Sequence, residues 1–285
     1  MRHAFLGMGG IGGLLAAALT RAGHSCVVLL RPETLSAYPG RISVESAVLG
    51  DFAVEVPATS KLDREVDVFW VATKATQLED ALVLAAPERV GEATVIPLMN
   101  GIDHVSLLRE RYQRVVAGAI RVESERLPPA LIRQRSPFLR VQLAGGAEVA
   151  EDLRGAGIEA LVREDECSLL WDKLAFLAPI ALATTAFDAP LGDVRDDPRY
   201  LGCRDEALAI ARADGARIDE EALIALQRAA PAEMRSSMQK DVAAGRVPEL
   251  DAIAGPILRG SKRYGIPAPG TDALVELVRH PLHQD

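Results

Sequence analysis

MRHAFLGMGGIGGLLAAALTRAG, residues 1–23, decides the fold. A short apolar run, His3–Leu6, reads as a strand. It leads into Gly7-Met8-Gly9-Gly10-Ile11-Gly12, and an Ala/Leu-rich stretch to about Arg21 reads as a helix. Strand, glycine turn and helix in this order form the context in which G-x-G-x-x-G binds a dinucleotide. The first glycine makes the tight turn. The second lets the backbone approach a pyrophosphate, and the third lets helix and strand pack closely. The helix N-terminus adds a positive dipole end and N–H groups for the phosphates.

The neighbouring residues sharpen that expectation. Ser25–Leu30 (SCVVLL) reads as the next buried strand, and Arg31 stands at its end. An NAD site places an acid there to bond the ribose hydroxyls. A guanidinium suits the 2′-phosphate of NADP(H), so the expected cofactor is NADP(H). Glu33 lies beyond Pro32 in the following loop.

Further along, Arg41–Val56 reads as a hairpin about Leu49-Gly50-Asp51, and Val66–Ala72 (VDVFWVA) and Thr94–Met99 (TVIPLM) as buried strands. Thr76–Ala85 reads as a helix between those two strands. Strands are expected again at Val115–Val122, Leu139–Leu143 and Glu159–Val162, with a helix near Glu148–Arg154. Near residue 165 the character changes. Helical periodicity takes over at Cys167–Ala178, Ile180–Phe187, Tyr200–Asp214, Glu220–Ala229, Ala232–Ala244 and Leu250–Tyr264. The pattern predicts an α/β, Rossmann-type dinucleotide-binding domain over residues 1–164, followed by an all-α domain over residues 165–285.

Composition narrows the classes of function. The net charge of −8 excludes a globally basic nucleic-acid binder. Three scattered cysteines, Cys26, Cys167 and Cys203, without C-x-x-C, read as reduced thiols of a cytoplasmic protein. They indicate neither a disulfide framework nor a metal site. No run of 18 uninterrupted apolar residues occurs, so no membrane span is expected. The glycines and strand-like start of the N-terminal run do not read as a signal peptide. The apolar faces of the helical half would serve either a core or a homodimer.

Polar residues at strand ends mark the expected site. Lys74 follows VDVFWVAT directly, and Asn100 ends TVIPLM. Ligands of doubly wound sheets bind at the carboxyl ends of strands, so these two neighbouring ends face one crevice. In the helical half, Lys173 sits inside the apolar run WDKLAFLAPIA, residues 171–181. Such a lysine either snorkels or is kept for chemistry.

Taken together, GMGGIG at 7–12, Arg31, VATKATQ at 71–77, MNGI at 99–102, WDKL at 171–174 and SSMQKDVAAGRVPELDAI at 236–253 resemble the ketopantoate reductase (2-dehydropantoate 2-reductase) family. The resemblance implies hydride transfer from NADPH to the C2 ketone of a small-molecule 2-oxo acid, within pantothenate biosynthesis. It also implies the site roles. Lys173 would be the general acid, and Asn100 would hold the reacting groups at the nicotinamide. Glu249 would bond the substrate and the lysine's surroundings, Ser237 the substrate carboxylate, and Lys74 would line the nicotinamide–substrate crevice. On residue type alone, Ser237 reads as a helical surface serine and Glu249, after Pro248, as a first-turn acid.

One departure is informative. The family usually carries asparagines four and eight residues after the lysine, on the same helix face. Here those positions are Leu177 and Ala181. Their loss points to a more apolar or differently shaped 2-oxo acid, or to weak activity. Pro179 is expected to kink or break the helix, which would let Thr184 and Thr185 reach back toward the site. Two alternatives stay open at this point. One is a reductase of the same fold acting on another carbonyl or an imine. The other is a nucleotide-binding protein without catalysis.

Overall fold

Strand β1 (Arg2–Leu6) sends alternate side chains into two separate cores. Phe5 joins Val28, Val68, Trp70 and Ile96, whereas Ala4 and Leu6 join Val27, Leu29, Phe69, Val71 and Val95. Such double burial is what a parallel sheet covered on both faces demands, and it accounts for the near-continuous apolar strands. The structure is a computed structural model that describes residues 1–280.

The described residues form two units. The first comprises Met1–Met99 and His104–Glu166, and the second comprises Asn100–Asp103 and the chain from Cys167 onward. The first unit begins β1, α1 (Gly10–Arg21), β2 (Ser25–Leu29), α2 (Pro32–Ser36), β3 (Arg41–Ser46), β4 (Phe52–Glu55), β5 (Ala58–Thr59) and β6 (Val68–Val71). It continues with α3 (Leu78–Leu82), α4 (Pro87–Val90), β7 (Thr94–Pro97), α5 (His104–Arg111), β8 (Gly118–Arg121), β9 (Ser124–Leu127), β10 (Leu131–Gln134), β11 (Arg140–Leu143), α6 (Ala147–Gly155) and β12 (Glu159–Val162).

Five parallel strands make the main sheet in the order β5-β2-β1-β6-β7. The order reverses at β1, which puts the topological switch point beside the glycine turn. Two smaller sheets follow, β4-β3-β10-β9 and β12-β11-β8. The first of these packs directly on α1. A Cβ on Gly10 would lie 2.2 Å from the carbonyl oxygen of Ser124, and one on Gly13 would lie 2.6 Å from Ile132 Cδ1. The doubled glycines of GGIGG therefore serve this helix–sheet packing as well as the turn. Between β6 and β7 the expected ten-residue helix is shorter: a 3₁₀ turn at Ala75–Gln77 precedes α3.

The second unit holds α7 (Glu166–Ala186), α8 (Leu191–Val194), α9 (Pro198–Ala213), α10 (Glu220–Ala229), α11 (Ser237–Ala243), α12 (Leu250–Tyr264) and α13 (Pro269–Arg279). Helix α11 starts later than the periodicity suggests, because the Ser236 hydroxyl accepts from the N–H of Gln239 and fixes the N-cap there. Helix α13 has no side-chain cap of its own. Glu206 of α9 caps it, accepting from the N–H groups of Gly270 (2.7 Å) and Thr271 (2.8 Å) and from the Thr271 hydroxyl (2.6 Å).

Helix α7 corrects one expectation. It runs unbroken for 21 residues through Pro179. A proline lacks the N–H that would bond the carbonyl four residues back, here that of Ala175. Gln227 of α10 supplies the missing donor. Its Nε2 donates to the carbonyls of Ala175 (3.2 Å) and Phe176 (3.0 Å), from a side chain only 3% exposed. Gln227→Leu keeps the volume and removes the donor. It is expected to lower the unfolding free energy by about 1–2 kcal/mol, as a urea titration would measure. By length and apolarity α7 could cross a membrane, but 72% of its most apolar window is buried in the protein. Trp171, Leu174, Ala178 and Leu182 make it the core helix of the second unit. The three cysteines are free thiols.

Candidate active site

In the first unit the site is built on the turn after β1. Gly7 takes φ +97°, a conformation that side-chain-bearing residues rarely adopt. A Cβ on Gly12 would lie 2.0 Å from the carbonyl oxygen of Gly7, so only glycine lets α1 start this close to the strand end. Gly9 differs from both. It is the N-cap of α1, it has no side-chain capping bond, and a Cβ there would meet nothing within 4 Å. No acidic residue stands in the first turn.

Thr73, just past β6, lies against this turn: its Cγ2 is 3.0 Å from where a Gly7 Cβ would stand. Its Oγ1 is buried and has no hydrogen-bond partner. An open helix N-terminus beside an unsatisfied hydroxyl fits the phosphates of a dinucleotide. Thr73 escaped the sequence reading. It sits in VATK, one residue before the lysine that drew attention.

Arg31 follows β2, with its side chain 53% exposed and its Nε 3.4 Å from Glu33 Oε1. Lys74 is half-buried at the N-cap of the 3₁₀ turn after β6. Gly7–Gly12, Arg31 and Lys74 thus follow β1, β2 and β6, adjacent strands of one sheet, at their carboxyl ends.

The remaining candidates belong to the second unit. Asn100 Nδ2 donates to Glu249 Oε2 at 3.0 Å, joining residues 149 positions apart. An ionised carboxylate only accepts, so this bond sets the orientation of the Asn100 amide and leaves its Oδ1 facing elsewhere. Glu249 is 7% exposed and is the N-cap residue of α12. The sequence reading paired Asn100 with Lys74 as neighbouring strand ends. The structure adds Glu249 as the hydrogen-bonded partner of Asn100.

Gly101 allows that contact. It has φ +83°, and a Cβ there would lie 2.4 Å from the carbonyl oxygen of Ala252. That carbonyl precedes Pro256 by four residues and receives no helical N–H from it. Arg259 completes the attachment, donating to Asp103 and, at 2.8 Å, to Asp251. Its pKa is raised by these hydrogen bonds, first of all the one to Asp251. No motif announced Arg259.

Lys173 is half-buried on α7, with Leu177 half-buried one turn on and Ala181 buried two turns on. Ser237 is exposed in the first turn of α11. Thr184 and Thr185 do not reach back to the site. Their hydroxyls bond the carbonyls of Ile180 and Ala181, each at 2.7 Å, within the same helix.

One trio among the described residues brings metal-ligand atoms together: His3, His24 and Asp152, within 4.8 Å of one another. Trp70 Nε1 donates to His3 Nδ1 at 3.2 Å. Indole N–H is a donor only, so neutral His3 carries its proton on Nε2, which donates to Asp152 Oδ2 at 3.2 Å. Burial pushes the His3 pKa down to about 4. Trp70, His3 and Asp152 thus form a hydrogen-bond chain at the amino end of β1, with His24 Nδ1 3.5 Å from Asp152 Oδ2.

Comparison with known proteins accounts for both units. The family model described as ketopantoate reductase PanE/ApbA matches residues 3–144, and its C-terminal counterpart matches residues 168–282. A 2-dehydropantoate 2-reductase of Mycobacterium tuberculosis is 31% identical, covering 96% of this chain and 96% of its own. One from Caulobacter vibrioides is 29% identical over 96% of this chain and 97% of its own. The crystal structure of a PanE/ApbA family ketopantoate reductase from Ralstonia eutropha matches with a TM-score of 0.89 at 26% identity, covering 98% and 97% of the two chains. Matched along both halves and at nearly full length, the chain belongs to the ketopantoate reductase family and is an oxidoreductase acting on CH–OH groups.

Proposed function

We propose that this protein reduces a 2-oxo acid to the 2-hydroxy acid with NADPH. The reaction named for its relatives, 2-dehydropantoate to pantoate, is the first to test. The observation that carries this reading is the Asn100–Glu249 hydrogen bond at 3.0 Å, which joins two residues that the family resemblance assigns to one site.

The reduction adds a hydride at C2 and a proton at the carbonyl oxygen. When bound, the reduced nicotinamide supplies the hydride. The residues of the chain supply the rest. The Lys173 ammonium stabilises negative charge as it develops on the oxygen and delivers the proton. Glu249 holds the Asn100 amide in one orientation, so that Oδ1 is the atom offered to the reacting groups. The exposed Ser237 hydroxyl serves the substrate carboxylate. Lys74, at the end of β6, serves the cofactor and the substrate. Gly7, Met8, Gly9, Gly10, Ile11 and Gly12 take the pyrophosphate, with Thr73 Oγ1 as a further donor.

Arg31 carries the preference for NADPH over NADH. A charge-assisted hydrogen bond to the 2′-phosphate supports a KM for NADPH that rises about tenfold or more in Arg31→Ala, with the KM for NADH nearly unchanged. An unchanged ratio of the two cofactors would remove the NADPH assignment.

The function itself is tested by following NADPH absorbance with purified protein and a panel of 2-oxo acids headed by ketopantoate. Turnover of at least one acid is expected. No turnover of any, with NADPH still bound, would move the protein to another carbonyl or imine, or to binding without catalysis.

A further inference from the structure

The hydroxyls further along α7 from Lys173 are already engaged. Thr184 is fully buried, and its hydroxyl lies 2.7 Å from the Ile180 carbonyl and 2.8 Å from Ser236 Oγ. A hydroxyl has one hydrogen. Thr184 therefore donates to Ile180 and accepts from Ser236, whose oxygen in turn accepts from Gln239 N at 3.1 Å. Thr185 donates back to Ala181 at 2.7 Å. Both protons of the Gln227 amide go to Ala175 and Phe176, and its Oε1 is buried without a hydrogen-bond partner, closed off from solvent. The Lys173 face itself continues as half-buried Leu177 and buried Ala181, both packed with the second unit's apolar core.

A substrate whose carbonyl meets Lys173 lays its chain along the next turn of this face. There it meets Leu177, whose own side chain offers neither donor nor acceptor. We propose that the preferred substrate is a 2-oxo acid with an apolar, hydroxyl-free side chain, and that Leu177 is the residue setting this preference. The proposal rests on the assignment of 2-oxo acid reduction made above. A hydroxyl set against Leu177 would exchange its water contacts for none.

Two acids with one carbon skeleton test it. Ketopantoate and 3,3-dimethyl-2-oxobutanoate differ only in the terminal hydroxyl. With NADPH and the full-length protein, kcat/KM for the hydroxyl-free acid is expected to exceed that for ketopantoate by about tenfold to a hundredfold, the range an apolar pocket achieves against an added hydroxyl. Leu177→Asn is expected to move that ratio toward ketopantoate by about tenfold, mostly through KM. Circular dichroism checks that the variant is folded, and the wild-type ratio does not depend on it. Equal efficiency or a preference for ketopantoate in the wild type would overturn the proposal while leaving 2-oxo acid reduction intact. A folded Leu177→Asn with an unchanged ratio would also overturn it. Failure of both acids, with NADPH bound and another acid of the panel turned over, would overturn this proposal alone; failure of the whole panel would remove the underlying assignment as well.

Discussion

Lys173→Ala is expected to lower kcat for 2-oxo acid reduction by about 10²–10⁴-fold, the usual contribution of a positioned general acid. Binding of NADPH, followed by its fluorescence, is expected to stay within about twofold, because the glycine turn proposed to take the phosphates belongs to the other unit. Lys173→Arg separates the two tasks proposed for the ammonium. A guanidinium keeps the positive charge but holds its proton far above neutral pH. It should therefore preserve much of the substrate affinity while kcat stays low. If Lys173→Ala kept kcat within about threefold of the wild type, general-acid catalysis by this residue would be excluded.

Gly101→Ala should be strongly damaging for the addition of a single methyl group. At φ +83° an alanine is strained, and its Cβ would stand 2.4 Å from the Ala252 carbonyl oxygen, which is backbone and cannot rotate away. Strain and overlap together are expected to cost about 2–4 kcal/mol in unfolding free energy, measured by urea titration. If the segment moves instead of the helix, Asn100 loses its bond to Glu249. Stability then survives and kcat falls. Gly101→Ala with both stability and kcat unchanged would show that the close approach of Gly101 to α12 has no role. The same change at Gly91 makes a control, because its φ is +59° and a Cβ there meets nothing within 4 Å. It carries the backbone strain without the overlap.

The fold was legible where local rules govern it. Strand β1, the glycine turn and α1 follow from a short apolar run, a G-x-G-x-x-G spacing and an Ala/Leu-rich stretch. Each needs only the residues beside it. The shift from strands to helices near residue 165 was legible for the same reason, since side-chain periods of 2 and 3.6 differ within a few residues. The continuity of α7 was not. Pro179 argues locally for a break, and the answer lies in Gln227, 48 positions away by their numbers, on another helix.

The candidate site residues divide in the same way. Gly7, Gly9 and Gly12 announce themselves through spacing, and Lys173 through its contrast with an apolar run. Thr73 did not stand out, because an orphaned hydroxyl is a property of its surroundings and not of threonine. Arg259 did not either, because its carboxylate partners Asp103 and Asp251 come from two separate segments.

The amino-acid sequence by itself determined the opening strand, glycine turn and helix, the change from strands to helices near residue 165, and the family, because these depend on periodicity, turn chemistry and motifs in chain order; it did not announce α5, β9, β10 or α13. Tertiary structure alone decided that Asn100 meets Glu249, that Gly101 must be glycine on steric grounds, and that Thr184 and Thr185 cannot replace the missing polar contacts beyond Lys173. The physical reason is hydrogen-bond saturation. Whether a polar group is available to a substrate depends on which partners the folded chain has already brought within about 3 Å of it.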